Sequence, residues 1–405
     1  MHRLSSLGLA LVAVVAVGCP ARHGSLPPVR PGIQVLLDDS VHLMAGRRVG
    51  LLTNQTGVDA AGVSDLDRLI ASDAQVTAIF TPEHGYHGVL NLSDIGHGID
   101  SANGTPVFSL YGEVREPTPA MLETIDVLLV DLQDIGARPY TYISTTLLAM
   151  RACVGVGVPV VVLDRPNPIG GGLVHGPLLD SAHASFVGML SVPMRHGLTL
   201  GELARLGNEW LGIGTDLTVV PADGWHRSQW FDETGLPWVR PSPSMPDLES
   251  ATHYPGTVLF EATNLSVGRG TPVAFQVVGA PWLDAARVVA RLGPQTGVSV
   301  TDTAVAPEDP PDGKYGGQTI PAVWLRVGDR QRYDPVAMAV ALLAAIRAEH
   351  PESLAVNERR LAHLIGTAAV WEGVLAGQTP AQLVASWGPD ILSFLRDRDR
   401  FLLYP

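Results

Sequence analysis

Four short apolar runs in the first half of the chain share one plan. Each is rich in Val, Ile and Leu, each is bounded by turn residues, and each ends in a polar cluster. They are RVGLLTN (48–54), VTAIFTPE (76–83), DVLLVDLQD (126–134) and VPVVVLDRPN (158–167). Runs this short and this continuously apolar read as strands covered on both faces, the condition of a parallel sheet. Helical patterns lie between some of them. SDLDRLIAS follows the first, and TYISTTLLAMRACV follows the third, with Gly155 and Gly157 marking its end. Strand, helix and strand at this spacing predict βαβ units and an α/β fold with a Rossmann-like parallel sheet.

The polar ends carry the functional signal. The first run closes in Thr53-Asn54-Gln55-Thr56-Gly57 and the second in Glu83-His84-Gly85, within FTPEHGYHG. The third closes in Asp131, Gln133 and Asp134, then Gly136-Ala137-Arg138, and the fourth in Asp164-Arg165-Pro166-Asn167-Pro168. In an open α/β sheet the ligand crevice lies outside the carboxyl ends of the strands. Four such clusters are expected to converge on one edge as a shared site, with Glu83 where the fold presents chemistry.

A Pro-rich connector, WVRPSPSMPDLES (238–250), separates this region from one of different character. Beyond it PVAFQVVGA and IPAVWLRVG read as strands, and PVAMAVALLAAIRAEH as an amphipathic helix. At 405 residues the chain is long enough for two cores. The expected organisation is a signal segment (1–18), a tether (19–32), a Rossmann-like catalytic domain (33–250) and a smaller α+β auxiliary domain (251–405). The stretch YPGTVLFEATNLSVGRGT (254–271) is expected to fold back toward the crevice of the first domain.

The extreme N-terminus reads as a targeting segment. LGLALVAVVAV (7–17) is apolar but too short to span a bilayer, and it runs into AVGC. Small residues directly before Cys19 resemble a bacterial lipobox, although Ala16 stands where Leu is usual. The expectation is a lipid anchor at Cys19, a Pro-rich tether and a cell-envelope, extracytoplasmic location. The other cysteine, Cys153, lies in an apolar helical stretch and is expected to be a buried thiol.

Several function classes are excluded or weakened. A formal net charge of −13, without any basic run, argues against nucleic acid as a partner. No Gly-x-Gly-x-x-Gly follows a strand, so no dinucleotide cofactor is called for. Neither a zinc signature nor a Ser or Cys nucleophile motif is present, and no metal is expected. What remains is carboxylates, arginines, tyrosines and asparagines, an inventory suited to acid/base chemistry on a sugar.

The motifs, taken together and in order, resemble one family. LLTNQTGVD, FTPEHGYHG, SLYG, DLQDIGARPYTYISTT, DRPNPIGG, RHGLTLGELA, WVRPSPSMP, YPGTVLFEATNLSVGRGT and GAPW are similar to the exo-β-N-acetylmuramidases, from about residue 33 to the terminal FLLYP. The resemblance implies a Rossmann-like catalytic domain with a smaller C-terminal domain. It implies removal of terminal N-acetylmuramic acid from the non-reducing end of peptidoglycan fragments during cell-wall recycling.

On that resemblance Glu83 is the general acid. The second carboxylate stays open among Asp131, Asp134, Asp164 and Glu261, with Glu261 and Asp134 ranked first and Asp164 read as a brace for its own loop. Muramic acid carries a lactyl carboxylate, for which Arg138 and Arg269 are the candidates. Tyr140 and Tyr142 are expected to stack on or bond the sugar. Asn54, Gln55, Asn167 and Asn264 are expected to read its polar groups, and His84 and His196 to orient carboxylates. Three departures from the family pattern stand out: His175 in LVHGPLLD, Ala262 with Val267 in EATNLSVGRGT, and VLNLSDIGHGID after the Glu-His-Gly motif. If a lost acid were catalytic, the alternative would be an impaired cell-wall-binding lipoprotein of the same fold.

Overall fold

The computed structural model describes residues 28–90 and 96–405. Cys19 and the targeting segment lie outside the described residues. So does part of the third departure.

Among the described residues twelve strands form: β1 (Arg48–Thr53), β2 (Gln75–Thr81), β3 (Gly98–Ile99), β4 (Pro106–Ser109), β5 (Val127–Asp131), β6 (Val160–Leu163), β7 (His175–Leu178), β8 (Pro193–Arg195), β9 (Leu217–Val220), β10 (Val277–Gly279), β11 (Val298–Val305) and β12 (Ile320–Val327). Seven of them form one sheet in the order β3-β4-β2-β1-β5-β6-β9. All its pairings are parallel except β3 on β4. The chain builds outward from β1 through β2 to β4, then returns to β5 on the other side of β1. That is the doubly wound order, with its switch point between β1 and β5.

Alternation along the strands explains why both faces are covered. In β5, Val127 and Leu129 point into one apolar cluster, while Leu128 and Val130 point into another. The first cluster also holds Ile33 and Leu36 of helix α1 (Gly32–Asp39) and Leu66 and Leu69 of α2 (Asp65–Ala71). A short helix, α3 (Pro119–Leu122), leads into β5. The second face is covered by α4 (Tyr142–Val156) and α5 (Leu200–Trp210). Helix α4 stops where Gly157 takes a left-handed φ of 71°. Helix α5 starts on a reciprocal cap between Thr199 and Glu202.

The second half begins with α6 (Leu248–Thr257), followed by the antiparallel sheet β10-β12-β11 and by α7 (Ala285–Leu292) and α8 (Pro335–Glu349). Four further helices end the chain: α9 (Glu358–Ile365), α10 (Ala369–Leu375), α11 (Pro380–Ser386) and α12 (Gly388–Arg398). The molecule is thus an α/β N-terminal domain joined to a smaller C-terminal one. The 250/251 boundary falls inside α6, and one apolar cluster runs from Leu128 and Val162 of the large sheet to Val323 and Leu343 of the second half.

Two expectations change. Helix α8, read as amphipathic, is buried nearly all round, because α6, α7, α11 and β7 all pack on it. In PVAFQVVGA only Val277–Gly279 forms a strand; the residues before it make the turns that set Phe275 at a left-handed φ of 64°.

Candidate active site

Strand β2 ends at Thr81, and the chain turns sharply through Pro82 and Glu83. His84 and Gly85 both take left-handed backbone angles, at φ 74° and 73°. A non-glycine residue in that region carries a cost of about 1–3 kcal/mol and persists only where its surroundings hold it. Here the His84 ring Nδ1 is bonded to Leu90 O at 2.8 Å, and the His84 carbonyl accepts from Leu90 N at 3.2 Å. Burial pulls the His84 pKa down, with the charge of Glu83 partly opposing. The turn presents the Glu83 carboxyl at the C-terminal edge of the sheet. Thr141 Oγ1 donates to Glu83 Oε2 at 2.8 Å. Tyr111, just past β4, faces the same carboxyl, and its phenol is pushed up by burial and then by the negative charge of Glu83.

Glu83 opens into a cleft of about 580 Å³. One wall comes from the first half: Tyr140 and Thr141 after β5, Tyr111 and Arg115 after β4, and the loop at Phe186. The other comes from the second half: Tyr254 and Val258, then Glu261, Arg269 and Phe275, then Arg359, Arg360 and His363 of α9. An aromatic run joins the two walls. Tyr140 meets Tyr254 edge-on at 5.8 Å, Tyr254 meets Phe275 at 4.8 Å, and the Arg269 guanidinium lies 5.0 Å over Phe275. Arg269 also grips Glu261 Oε1 through Nε at 2.6 Å and Nη2 at 2.5 Å.

Two carboxylates and four arginines therefore share the cleft. Arg269 is committed to Glu261. Arg360 lies 3.8 Å from the other Glu261 oxygen with its side chain 58% exposed, so its N–H groups remain available. Arg115 stacks 4.5 Å over Phe186, with no carboxylate partner among the described residues. Arg359 Nε donates to His363 Nε2 at 3.4 Å, and the His363 Nδ1 bond to His183 O at 3.0 Å fixes the matching tautomer. The excess of guanidinium over carboxylate favours an anionic ligand. The Tyr140 hydroxyl is buried behind this wall, with no hydrogen-bond partner among the described residues.

Of the residues expected at the site, Glu83, His84, Tyr140, Glu261 and Arg269 line the cleft. Asn54, Gln55, Asp134, Arg138, Tyr142, Asn167, His196 and Asn264 do not, and each has other engagements. Asn54 Nδ2 donates to the Tyr142 hydroxyl at 2.8 Å, and that hydroxyl donates to Pro241 O. Gln55 Nε2 donates to Arg240 O at 2.7 Å. Arg138 is spent on the carbonyls of Pro177, Val192 and Leu364, and burial pulls its pKa down to about 9. Asn167 bridges Leu198 O and Ile169 N, and Asn264 bridges Ser353 O and Ala355 N. Asp134 accepts from Gly136 N at 2.7 Å in the interior, where burial pushes its carboxyl up to about 7. His196 Nε2 lies 3.9 Å from it, and burial, reinforced by the nearby arginines, holds that imidazole down at about 3. A neutral ring cannot form the ion pair that the distance alone would imply.

The ends of β1, β5 and β6 also turn inward. Arg165 is ion-paired with Asp131 in the interior, beside Asp65, whose carboxyl is pushed well up by burial and then by Asp131. Asp164 accepts from Thr199 Oγ1 at 2.6 Å, Gly201 N at 2.8 Å and Tyr404 OH at 2.6 Å, tying β6 to α5 and to the chain's end. Of the four strand ends, only that of β2 reaches the cleft, joined by the loop after β5.

The departures at His175, Ala262 and Val267 fall outside the cleft. Ala262 and Val267 are core positions, 3% and 0% exposed. His175, on β7, faces Asp334 at 3.8 Å, and burial holds it down at about 4. Sequence reading missed Tyr111, Arg115, Thr141, Tyr254, Phe275, Arg359, Arg360 and His363. The adjacent arginines of NERRLAHLI, just inside an Asn-capped helix, were the available signal.

A doubly wound α/β sheet presenting a carboxyl from a strand's C-terminal end, across an aromatic wall from a second carboxyl and free arginines, defines an acid/base enzyme for an anionic sugar-sized ligand. Comparison with known proteins makes this specific. The chain belongs to the exo-β-N-acetylmuramidase NamZ family, whose N-terminal description matches residues 49–249 and whose C-terminal description matches residues 252–404. It is 39% identical over 381 residues to the peptidoglycan β-N-acetylmuramidase NamZ of Bacillus subtilis (strain 168), covering 93% of this chain and 92% of that one. Two crystal structures of DUF1343-family proteins from Bacteroides fragilis NCTC 9343 are also similar. One superposes with a TM-score of 0.85 at 32% identity, the other with 0.75 at 30%, each covering 93% of this chain and 99% of the other.

Proposed function

We propose that the protein is an exo-acting glycoside hydrolase that releases terminal N-acetylmuramic acid from the non-reducing end of peptidoglycan fragments. The observation that carries the reading is the cleft itself. It sets Glu83 among Thr141, Tyr111 and Tyr140 on one side, and Glu261 with uncommitted arginines on the other, in a chain of this family. The Bacillus subtilis relative bears the name of that activity.

Glu83 delivers a proton to the glycosidic oxygen as the bond to the anomeric carbon breaks, and water supplies the hydroxyl that replaces it. Thr141, donating to Oε2, fixes the carboxyl's orientation and leaves Oε1 for the substrate. Glu261 is the second carboxyl. Arg269 holds one of its oxygens, and the other faces developing positive charge or the incoming water. Arg360 and Arg359 take the lactyl carboxylate, and Tyr254 and Phe275 offer apolar faces to the ring. Asp134, deep behind the aromatic wall, acts as a structural carboxyl. At the N-terminus we infer a lipoprotein signal with Cys19 as the anchored residue and an extracytoplasmic, envelope-bound enzyme. The small-residue run before Cys19 supports this.

The test is incubation of the purified protein with the disaccharide MurNAc-GlcNAc and with longer chains. Release of free N-acetylmuramic acid one residue at a time is expected. Internal cleavage of long chains, or no release, would contradict the reading.

A further inference from the structure

A second groove, of about 690 Å³, lies beside the cleft and shares Arg115, Ser185 and Phe186 with it as a common wall. It runs between α4 and the end of α5, over Leu147, Leu148, Met189, Leu211 and Ile213. Glu116, next to Arg115, pins Arg151 at its rim through two bonds of 3.1 and 2.7 Å. Leu211, 46% exposed, extends this apolar floor to the surface.

The direction of the groove decides what that is. A general acid stands on the leaving-group side of the scissile bond. Glu83 faces Tyr111, and Tyr111 lies 6.3 Å from Phe186, ring to ring. Phe186 then forms the shared wall, so the acid, Tyr111, Phe186 and the groove are consecutive along one path. The opposite side of the cleft, toward Glu261 and Arg269, belongs to the terminal sugar.

We propose that this groove is a binding subsite for the leaving saccharide, beyond the first sugar past the scissile bond. This rests on the glycosidase reading above. Pyranose rings present apolar C–H faces, which suit the Leu, Ile and Met floor. The Arg115 guanidinium, stacked on Phe186, stands where carboxylates of a second muramyl unit pass.

The experiment compares kcat/KM for removal of the first residue from MurNAc-GlcNAc and from its tetrasaccharide repeat, in wild type and in Leu211→Asp and Ile213→Asp. Neither side chain lines the cleft, and Leu211 is too exposed for the change to disturb the core. The wild type is expected to favour the tetrasaccharide by about tenfold, roughly one good subsite contact. Each variant is expected to lose most of that preference through KM while its disaccharide rate stays unchanged. Equal wild-type use of both substrates, a preference retained in both variants, or a parallel fall on both substrates would overturn the subsite. Failure of the wild type to release N-acetylmuramic acid from the disaccharide would overturn the glycosidase reading, and the subsite with it.

Discussion

Asp134 and His196 face each other at 3.9 Å in the interior, where burial raises the carboxyl to about 7 and holds the imidazole neutral, at about 3. Their effects on stability have opposite signs. The folded value of Asp134, about 7, stands above that of the unfolded chain, so its contribution is full below pH 4 or so and is lost as pH rises through 7. The folded value of His196, about 3, stands below, so its contribution is full above about pH 6.5 and is lost as pH falls. Asp134→Asn keeps the shape and the bond from Gly136 N while removing the titration. Its stability relative to wild type is expected to rise between pH 4 and pH 8 by an amount on the order of 2–4 kcal/mol. Denaturant melts at several pH values check this; parallel pH curves would contradict it. The same pair shows what sequence could not reveal. A strand-end Asp is a plausible catalyst by type, and only burial separates it from Glu83. Glu83 was legible because a Glu followed by His and Gly after an apolar run cannot continue a strand. Arg138 and Arg269 looked alike in sequence, and the structure spends the first on carbonyls and the second on Glu261.

At the scale of elements, α4 carries the main brace behind the site. Its first residue, Tyr142, accepts from Asn54 after β1 and donates to Pro241 in the connector, joining three segments through one hydroxyl. Tyr142→Phe strands the Asn54 amide and is expected to cost about 1–3 kcal/mol of stability by chemical denaturation. A change below a few tenths would show the brace to be dispensable. Strands β1, β2, β5 and β6 and helices α2 and α4 were readable because each has one period and clear punctuation. Strand β11 was not, since VSVTDTAV is polar at alternate positions and pairs only with β12. Helices α9–α12 are seven to eleven residues long and crowd together, so none shows a long pattern of its own. Arg359 and Arg360 went unread with them.

For the whole molecule, the division of labour between the halves is the main result. The first supplies Glu83, the second supplies Glu261, Arg359 and Arg360, and a continuous core fixes them against each other. Recognition of the lactyl carboxylate is therefore expected to reside in the C-terminal half. Arg360→Ala is expected to raise KM for N-acetylmuramides by about tenfold, the loss of one charge-assisted hydrogen bond. It should leave residual turnover of matched N-acetylglucosaminides, which lack the lactyl group, unaffected. An equal effect on both sugars would remove Arg360 from carboxylate recognition.

The central claim is that Glu83 gives the proton to the leaving oxygen. Its most direct test compares Glu83→Gln with wild type on MurNAc-GlcNAc and on a nitrophenyl N-acetylmuramide, whose leaving group needs little protonation. The account predicts a loss of about 10²–10⁴ on the disaccharide, a much smaller loss on the aryl glycoside, and unchanged binding of N-acetylmuramic acid. Equal losses on the two substrates, or disaccharide turnover near wild type, would contradict it.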